Sequence, residues 1–226
     1  MHRNIIIFDL DGTLYDLNDV VQSNYDMQLN FLCEKKDMSR QEAVHFLANH
    51  HIYPIMKKDS LSATELFLQI GLSKEEWSAY RDIHFKVENI DIQKAVNEST
   101  LKEFSKIGIL VLLSSNAYSV IDKILNHLSI SPCIFDEIIC SDRFPYNTSF
   151  KKKLAMVFLS SKYNVEYVDM YSMGDRYSTD ILPMLELGGI GFLIKNNQSL
   201  SAVFNAIKEK SFCSTEDYIC YHSNQT

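Results

Sequence analysis

Apolar residues near the start of the chain form one short, uninterrupted run. Residues 4–8 read Asn-Ile-Ile-Ile-Phe, and two aspartates, Asp9 and Asp11, come directly after them. A short β-branched run without charge is typical of a buried strand. The pattern therefore predicts a strand that carries two carboxylates at its carboxyl end.

The chain after this strand shows no strand pattern from about Asn18 to Val87, within the predicted cap of residues 16–89. Apolar residues recur there at helical spacing, as in ATELFLQI and KEEWSAYRDIHFKV, and the helical patterns break at Pro54 and Gly71. We therefore predict a helical block inserted into a core that comprises residues 1–15 and 90–226.

Strand and helix patterns alternate from about Val96 onward. The predicted strands are IGILVLLSS (Ile107 to Ser115), EIICS, YVDMYSM and GIGFLI, with helices between them. Strands that alternate with helices indicate parallel pairing, so the expected fold class is α/β, a doubly wound, Rossmann-like parallel sheet. In such sheets, sites form at the carboxyl ends of the strands. The tail from about Ser211 shows no pattern that predicts an element.

Composition and charge narrow the classes of function. The 226 residues are 46% hydrophobic, which suits one large domain or a core with an inserted module. Twenty-two basic residues against 29 acidic ones give a formal net charge of -7. This balance argues against a protein that binds the phosphate backbone of nucleic acid.

Neither a membrane span nor a disulfide framework is indicated. The amino-terminal apolar run is shorter than the core of a signal peptide, and no later segment approaches the roughly 18 apolar residues of a membrane helix. Five cysteines without a CxxC pair favour neither a zinc site nor paired disulfides. We therefore expect a soluble, cytoplasmic protein with no membrane partner, and we make no prediction of its oligomeric state.

The first strand end offers Asp9 and Asp11, followed by Gly12 and Thr13. Two carboxylates held close together repel one another, and a divalent cation relieves that cost. An ordinary Asp-Gly-Thr turn is the alternative.

The second strand end offers Ser114, Ser115 and Asn116 just before a predicted helix. Their hydroxyl, amide and backbone N–H groups suit an anionic oxygen. A plain helix cap explains the same residues.

A lysine run, in SFKKKL, lies at the start of another predicted helix and contains Lys151 and Lys152. Cations are unfavourable at a helix start unless an anion is near. We expect one lysine to turn inward, with a solvated basic run as the alternative.

The last of these strand ends, in SMGDRYSTD, supplies Asp175 and Asp180. Hard oxygen ligands at this place suit Mg²⁺. Asp180 also fits the first turn of a following helix, where it favours the helix dipole.

Taken in order, DLDGT, LLSSN, FKKK and GDRYSTD resemble the motifs of the haloacid dehalogenase-like hydrolase superfamily, over roughly residues 4 to 195. The resemblance implies that Asp9 is a nucleophile that forms an aspartyl-phosphate and that Asp11 is the general acid and base. It further implies that Mg²⁺ is held by Asp9, the backbone carbonyl of Asp11 and Asp175. Asp180 would orient the lysine or a metal-bound water.

The resemblance also implies a phosphate-binding set and a catalytic lysine. Ser115 and the N–H of Asn116 would bind a phosphoryl oxygen, and Gly12 and Thr13 are further phosphate-binding candidates. The lysine is Lys152 or Lys151; we favour Lys152, and the spacing leaves both open.

An insertion directly after the first motif is where this family places a helical cap, which closes over the site and contacts the substrate. The candidate cap residues that could contact substrate are polar or aromatic: Tyr15, Tyr25, His50, His51, Tyr53 and Lys57. Histidines and tyrosines in such a block are more often packing or surface residues, so none of them is singled out.

The resemblance thus favours a Mg²⁺-dependent phosphatase that acts on a small phosphorylated metabolite, such as a sugar phosphate or nucleoside monophosphate. A phosphomutase of the β-phosphoglucomutase type would use the same two aspartates. A non-catalytic binding module on the same fold is the second alternative. A dehalogenase is disfavoured, because it attacks carbon, needs no metal and has little use for an acid at position 11.

Overall fold

The computed structural model describes residues 4–53, 63–144, 151–216 and 218–222. Contacts between residues divide the chain into two units. The first unit comprises Met1–Asp16 and Asp91–Thr226, and the second comprises Leu17–Ile90. The first unit is therefore discontinuous in sequence, and the second is inserted into it.

One sheet forms the centre of the first unit. Its described strands are β1 (Asn4–Phe8), β2 (Gly108–Leu113), β3 (Glu137–Ile139), β4 (Met170–Gly174), β5 (Ile190–Ile194) and β6 (Tyr218–His222). The order across the sheet is β3-β2-β1-β4-β5-β6. All pairs among the first five strands are parallel, and β6 runs antiparallel to β5. The predicted α/β fold class is confirmed.

The helices of the described residues are α1 (Val21–Lys36), α2 (Arg40–Asn49), α3 (Ala63–Gln69), α4 (Lys74–His84), α5 (Glu98–Ser105), α6 (Tyr118–His127), α7 (Lys152–Tyr163), α8 (Leu182–Leu185) and α9 (Leu200–Glu209). The first four belong to the second unit, and the others connect the strands of the first. None of the described helices is long and apolar enough to cross a membrane.

Strand β1 lies between β2 and β4, and the sequence explains this central place. Its residues Ile5, Ile6, Ile7 and Phe8 are at most 1% exposed. A strand covered on both faces requires a continuous apolar run, as this one has. The Phe8 ring also meets the ring of Phe104 on α5 edge to face, with centroids 5.0 Å apart. The polar residues that follow β1 are thereby held in the middle of the sheet edge.

Several element bounds differ from the sequence prediction. Strand β2 is shorter than residues 107–115, because Ser114 and Ser115 leave the strand for the turn before α6. Strand β4 begins at Met170, after a short 3-10 turn. Strand β6 lies in the tail for which the sequence predicts no element. Only two of its residues, Tyr218 and Cys220, are buried, so the apolar pattern is too short to predict a strand.

The predicted helix after Thr179 has two parts. Tyr177–Ile181 forms a π-helical turn, and α8 follows it with Pro183 in its first turn. Proline is tolerated at that position, because the N–H it lacks would have no partner within the helix. The wide turn determines where Asp180 points.

The second unit is helical throughout its described residues. Helices α2 and α4 each begin with a reciprocal cap between a serine and a glutamate, Ser39 with Glu42 and Ser73 with Glu76. The unit has an aromatic centre, in which the Phe31 ring lies 5.0–5.1 Å from the rings of Phe67, Trp77 and Tyr80. This unit therefore has a core of its own.

Candidate active site

A buried lysine joins two of the predicted aspartates. The Nζ atom of Lys152 donates to Asp9 Oδ1 at 2.6 Å and to Asp180 Oδ1 at 2.7 Å. The side chains of Lys152, Asp9 and Asp180 are 9%, 11% and 2% exposed. The contact links the end of β1, the start of α7 and the π-helical turn after β4.

The π-helical turn fixes the orientation of Asp180. The Arg176 N–H donates to Asp180 Oδ2 at 3.0 Å, and the Thr179 hydroxyl donates to Oδ1 at 3.0 Å. The Ser172 hydroxyl on β4 donates to the Asp180 carbonyl at 2.7 Å. Both carboxylate oxygens of Asp180 thus have donors from the protein, as expected of a residue that orients the lysine.

The three lysines of the basic run have different environments. Lys151 is the N-cap residue of α7 and is exposed. Lys153 forms an exposed ion pair with Glu186 at 2.8 Å. Lys152 is the member that the structure brings to the aspartates, and Lys151 is not brought there.

Burial and charge shift the proton affinities in this cluster. Burial raises the pKa of Asp9 well above its ordinary value, although the charge of Lys152 lowers it. The negative charges of Asp180, Asp11 and Asp175 raise it further. Burial, followed by the charge of Asp180, raises the pKa of Asp175 to about 6. Burial alone would lower the pKa of Lys152, but Asp180 and Asp9 raise it above its ordinary value.

The acids fit a divalent cation. Asp9, Asp175 and Asp180 each offer a carboxylate oxygen, and these oxygens lie within 4.8 Å of one another. The Asp175 Oδ2 atom is buried and has no hydrogen-bond partner within the described residues. A buried carboxylate oxygen needs a partner, and three carboxylates with one such oxygen among them are the hard ligands that suit Mg²⁺.

Two glycines permit this approach of carboxylate and backbone. Gly12 has φ +73, and a Cβ atom there would lie 2.6 Å from Asp175 Oδ2. A Cβ atom on Gly174 would lie 2.4 Å from the Cβ and Oδ2 atoms of Asp180. Any larger residue at either position would displace an acid of the cluster.

Asp11 is held apart from these acids. Its Oδ1 atom accepts a hydrogen bond from the Tyr15 hydroxyl, and its Oδ2 atom accepts one from Asn116 Nδ2 at 2.8 Å. The cation cluster formed by the described residues does not include its carboxylate. The predicted metal role of Asp11 therefore depends on its backbone carbonyl.

The polar residues of the second strand end have different environments. Ser115 is exposed, whereas Ser114 and Asn116 are 1% and 4% exposed. The Asn116 N–H, predicted to bind a phosphoryl oxygen, donates to Ser114 Oγ at 3.2 Å, and its side chain is directed to Asp11. Serine hydroxyls commonly accept from the backbone two residues on, which explains the turn.

Gly12 and Thr13 lie at the same sheet edge. Thr13 is fully buried, and its hydroxyl oxygen has no hydrogen-bond partner among the described residues. Phosphate binding by Gly12, Thr13 and Ser115 stays a prediction.

Tyr15 does not belong to the helical block. It lies in the first unit, is fully buried and contacts Asp11. Its suggested place among cap residues is wrong. Nothing local in the sequence indicates the contact, because it depends on how the chain turns after β1.

The other cap candidates have partners or positions within the second unit. Tyr25 is buried in α1, and the His50 ring nitrogen Nδ1 lies 2.8 Å from the Phe46 carbonyl. His51 is exposed. The Tyr53 hydroxyl donates to the Ala48 carbonyl at 3.1 Å. Lys57 lies outside the described residues.

Solved structures share this architecture. A haloacid dehalogenase-like family hydrolase from Xanthomonas campestris is 14% identical with a TM-score of 0.55, covering 92% of this chain and 93% of that one. An HAD phosphatase from Thermococcus onnurineus is 18% identical with a TM-score of 0.54, covering 83% and 84%. A β-phosphoglucomutase from Clostridium difficile is 20% identical with a TM-score of 0.50, covering 88% and 87%. At these identities the similarity shows the shared fold.

No curated protein matches the chain in sequence. The family model for haloacid dehalogenase-like hydrolases matches residues 4–188, which include every aspartate and lysine described above. This match covers most of the chain and confirms the resemblance seen in the motifs. The chain is an enzyme that belongs to the haloacid dehalogenase-like hydrolase family.

Proposed function

We propose that the protein is a Mg²⁺-dependent phosphatase that hydrolyses a small phosphorylated metabolite, a sugar phosphate or a nucleoside monophosphate, through an aspartyl-phosphate. The observation that carries this proposal is the buried contact of Asp9 with Lys152, beside Asp175 with its unpartnered oxygen. The Lys152 ammonium and a metal ion held by the neighbouring acids would both offset negative charge, so a carboxylate nucleophile placed beside them suits attack on an anionic phosphoryl group.

The first step uses both aspartates of the opening motif. A carboxylate oxygen of Asp9 attacks phosphorus, and the bond from phosphorus to the alcohol oxygen breaks. Asp11 gives its proton to that oxygen, so the alcohol leaves neutral. Lys152, which is fixed by Asp180, holds one oxygen of Asp9 and adds positive charge beside the transferring group.

The second step returns the enzyme to its starting state. Water attacks phosphorus, Asp11 takes a proton from the water, and the bond from phosphorus to Asp9 breaks. Inorganic phosphate leaves, and Asp11 is protonated for the next cycle. Bound Mg²⁺, held by Asp9, Asp175 and the Asp11 carbonyl, would offset the charge of the phosphoryl group.

The second unit, Leu17–Ile90, is proposed to be the cap that selects the substrate. Its support is its place in the chain, directly after the turn that carries Asp11 and Tyr15. A phosphomutase remains the alternative outcome, in which water is kept from the aspartyl-phosphate and a sugar accepts the phosphoryl group. The cytoplasmic location and the absence of nucleic-acid and membrane partners also remain predictions.

A panel of phosphate monoesters tests the proposal. We expect inorganic phosphate to be released with Mg²⁺, release to stop in EDTA, and Ca²⁺ to inhibit, because Ca²⁺ accepts more ligands at longer distances. Full activity in EDTA would contradict the metal assignment. Interconversion of sugar phosphates without net phosphate release would identify a phosphomutase, and no turnover of any monoester would refute both.

Thermal unfolding provides a test of the metal that does not depend on activity. Mg²⁺ should raise the Tm of the wild-type protein, because a ligand that binds the folded state stabilises it. Asp175→Asn should lose most of that increase. An equal Mg²⁺-induced increase in the variant would exclude Asp175 as a ligand.

A further inference from the structure

We propose that Tyr15 is a positioning residue, which acts with Asn116 to hold the carboxylate of Asp11 where it can exchange protons with the substrate. The inference rests on the proposed function, because it assigns Asp11 the role of acid and base. The Tyr15 hydroxyl donates to Asp11 Oδ1, and Asn116 Nδ2 donates to Oδ2. Each oxygen of the carboxylate thus has a donor from a different part of the fold.

The backbone around Tyr15 is fixed by its neighbours. Tyr15 is fully buried and forms a β-bridge with Asp11. The Leu14 N–H donates to the Leu10 carbonyl at 3.0 Å, and the Leu14 carbonyl accepts from the Val96 N–H at 2.8 Å. The backbone that carries Tyr15 is therefore bonded to its neighbours, and its side chain is enclosed by the surrounding residues.

Asn116 is fixed in a comparable way by the loop after β2. Its carbonyl accepts from the Ser141 N–H at 3.1 Å, and its N–H donates to Ser114 Oγ at 3.2 Å. The two donors to Asp11 are thus carried by separate loops whose backbones are themselves bonded. A reacting group held by residues that are locked in this way is preorganised.

The two contacts leave Asp11 free to change its protonation state. A carboxylate has about four acceptor positions, of which Tyr15 and Asn116 each use one, so a proton can bind at another position. Both donors can therefore keep their contacts when Asp11 is ionised and when it is protonated. The proposed reaction requires both states of Asp11, since it acts as an acid in the first step and as a base in the second.

Tyr15→Phe tests the role, because it preserves the ring and removes the hydroxyl. The assay compares an alkyl phosphate with an activated aryl phosphate, whose leaving group needs little protonation. We expect kcat/KM, which reports the steps through formation of the phosphoenzyme, to fall about 10-fold or more for the alkyl ester relative to the aryl ester. An equal effect on both esters, or no effect, would overturn the proposal.

Two further variants separate positioning from a general loss of packing. Tyr171→Phe is a matched control, because Tyr171 is also 1% exposed or less but lies against Phe192 and Phe212, with ring centroids 6.5 and 5.9 Å away. It should leave the ratio of alkyl to aryl rates unchanged. Tyr15→Phe added to Asp11→Asn should change that ratio no further, and a second full decrease would overturn the proposal.

Crystal structures of the wild-type protein and Tyr15→Phe test the positioning of Asp11 independently of the proposed function. If the wild-type protein hydrolyses neither ester, the proposed function fails. The structures then decide the positioning: a rotated Asp11 carboxylate in Tyr15→Phe supports it, and an unchanged carboxylate refutes it.

Discussion

Lys152 and Asp180 form a buried ion pair, with Nζ and Oδ1 2.7 Å apart and side chains that are 9% and 2% exposed. Buried charges are expensive unless they are paired and hydrogen-bonded. Here the same ammonium group also reaches Asp9 at 2.6 Å. The pair therefore directs the positive charge toward the carboxylate proposed as the nucleophile.

The basic run provides a direct comparison between adjacent lysines. Lys152→Ala should lower kcat by about 10²–10³-fold, the usual loss when an electrostatic group of an active site is removed. It should also lower Tm, because Asp9 and Asp180 remain buried without their cation. Lys151→Ala should change neither quantity, because that side chain is exposed. The opposite order in steady-state rates would move the assignment to Lys151.

Asparagine substitutions of Asp9 and Asp11 should block different steps of the reaction. Asp9→Asn removes the attacking carboxylate, so no phosphoenzyme should form with any substrate. Asp11→Asn should still react with an aryl phosphate and accumulate the aspartyl-phosphate, because the water that clears it lacks a base. Rapid quenching and intact-protein mass spectrometry measure the adduct. A phosphoryl adduct in Asp9→Asn would show that another residue is the nucleophile.

Alanine substitutions at Gly12 and Gly71 distinguish the cost of backbone strain from the cost of a steric clash in the site. Their φ angles are nearly equal, +73 and +76, but a Cβ atom on Gly71 meets nothing within 4 Å. Gly71→Ala should cost about 1–2 kcal/mol in unfolding free energy, the strain of a left-handed residue. Gly12→Ala should cost more and should abolish the gain in unfolding free energy with Mg²⁺, because it displaces Asp175. Denaturant titration with and without Mg²⁺ measures both effects, and equal costs would exclude the clash.

Thiol reactivity should follow burial. Burial raises the pKa values of Cys140 and Cys220 to about 12, whereas Cys133 and Cys213 are exposed. A raised pKa keeps a thiol protonated, and the thiol is less reactive than the thiolate. Iodoacetamide should therefore label Cys133 and Cys213 first, as followed by peptide mass spectrometry. Early labelling of Cys140 in the native protein would contradict the structure around it.

The sequence predicts those parts of the fold and the site that have a local cause. Strand β1 is covered on both faces, so its apolar run is continuous, and the acid that follows it, Asp9, is placed with it. The same reasoning places Asp175 after β4. These residues could be located because each comes directly after a recognisable strand.

The remainder depends on helix starts, turns and strand pairing, which the apolar pattern does not reveal. Lys151 and Lys152 differ by one position, which turns a side chain by about 100° around a helix, and only the observed start of α7 decides between them. The contact of Tyr15 with Asp11 follows from the turn after β1 and has no sequence period. Strand β6 is a short edge strand whose pairing is determined by β5.

The position of β1 in the sheet has a consequence for synthesis of the chain. Asn4 pairs with Gly108 and Ile5 pairs with Met170, so the central strand is made long before either neighbour. The inserted helices, by contrast, are contiguous in sequence and have local contacts. On the ribosome, where domains generally fold as units, Leu17–Ile90 can become structured while the apolar run of β1 still has no sheet to enter. A nascent chain that stalls before Gly108 would thus expose this run and should be a target for chaperones.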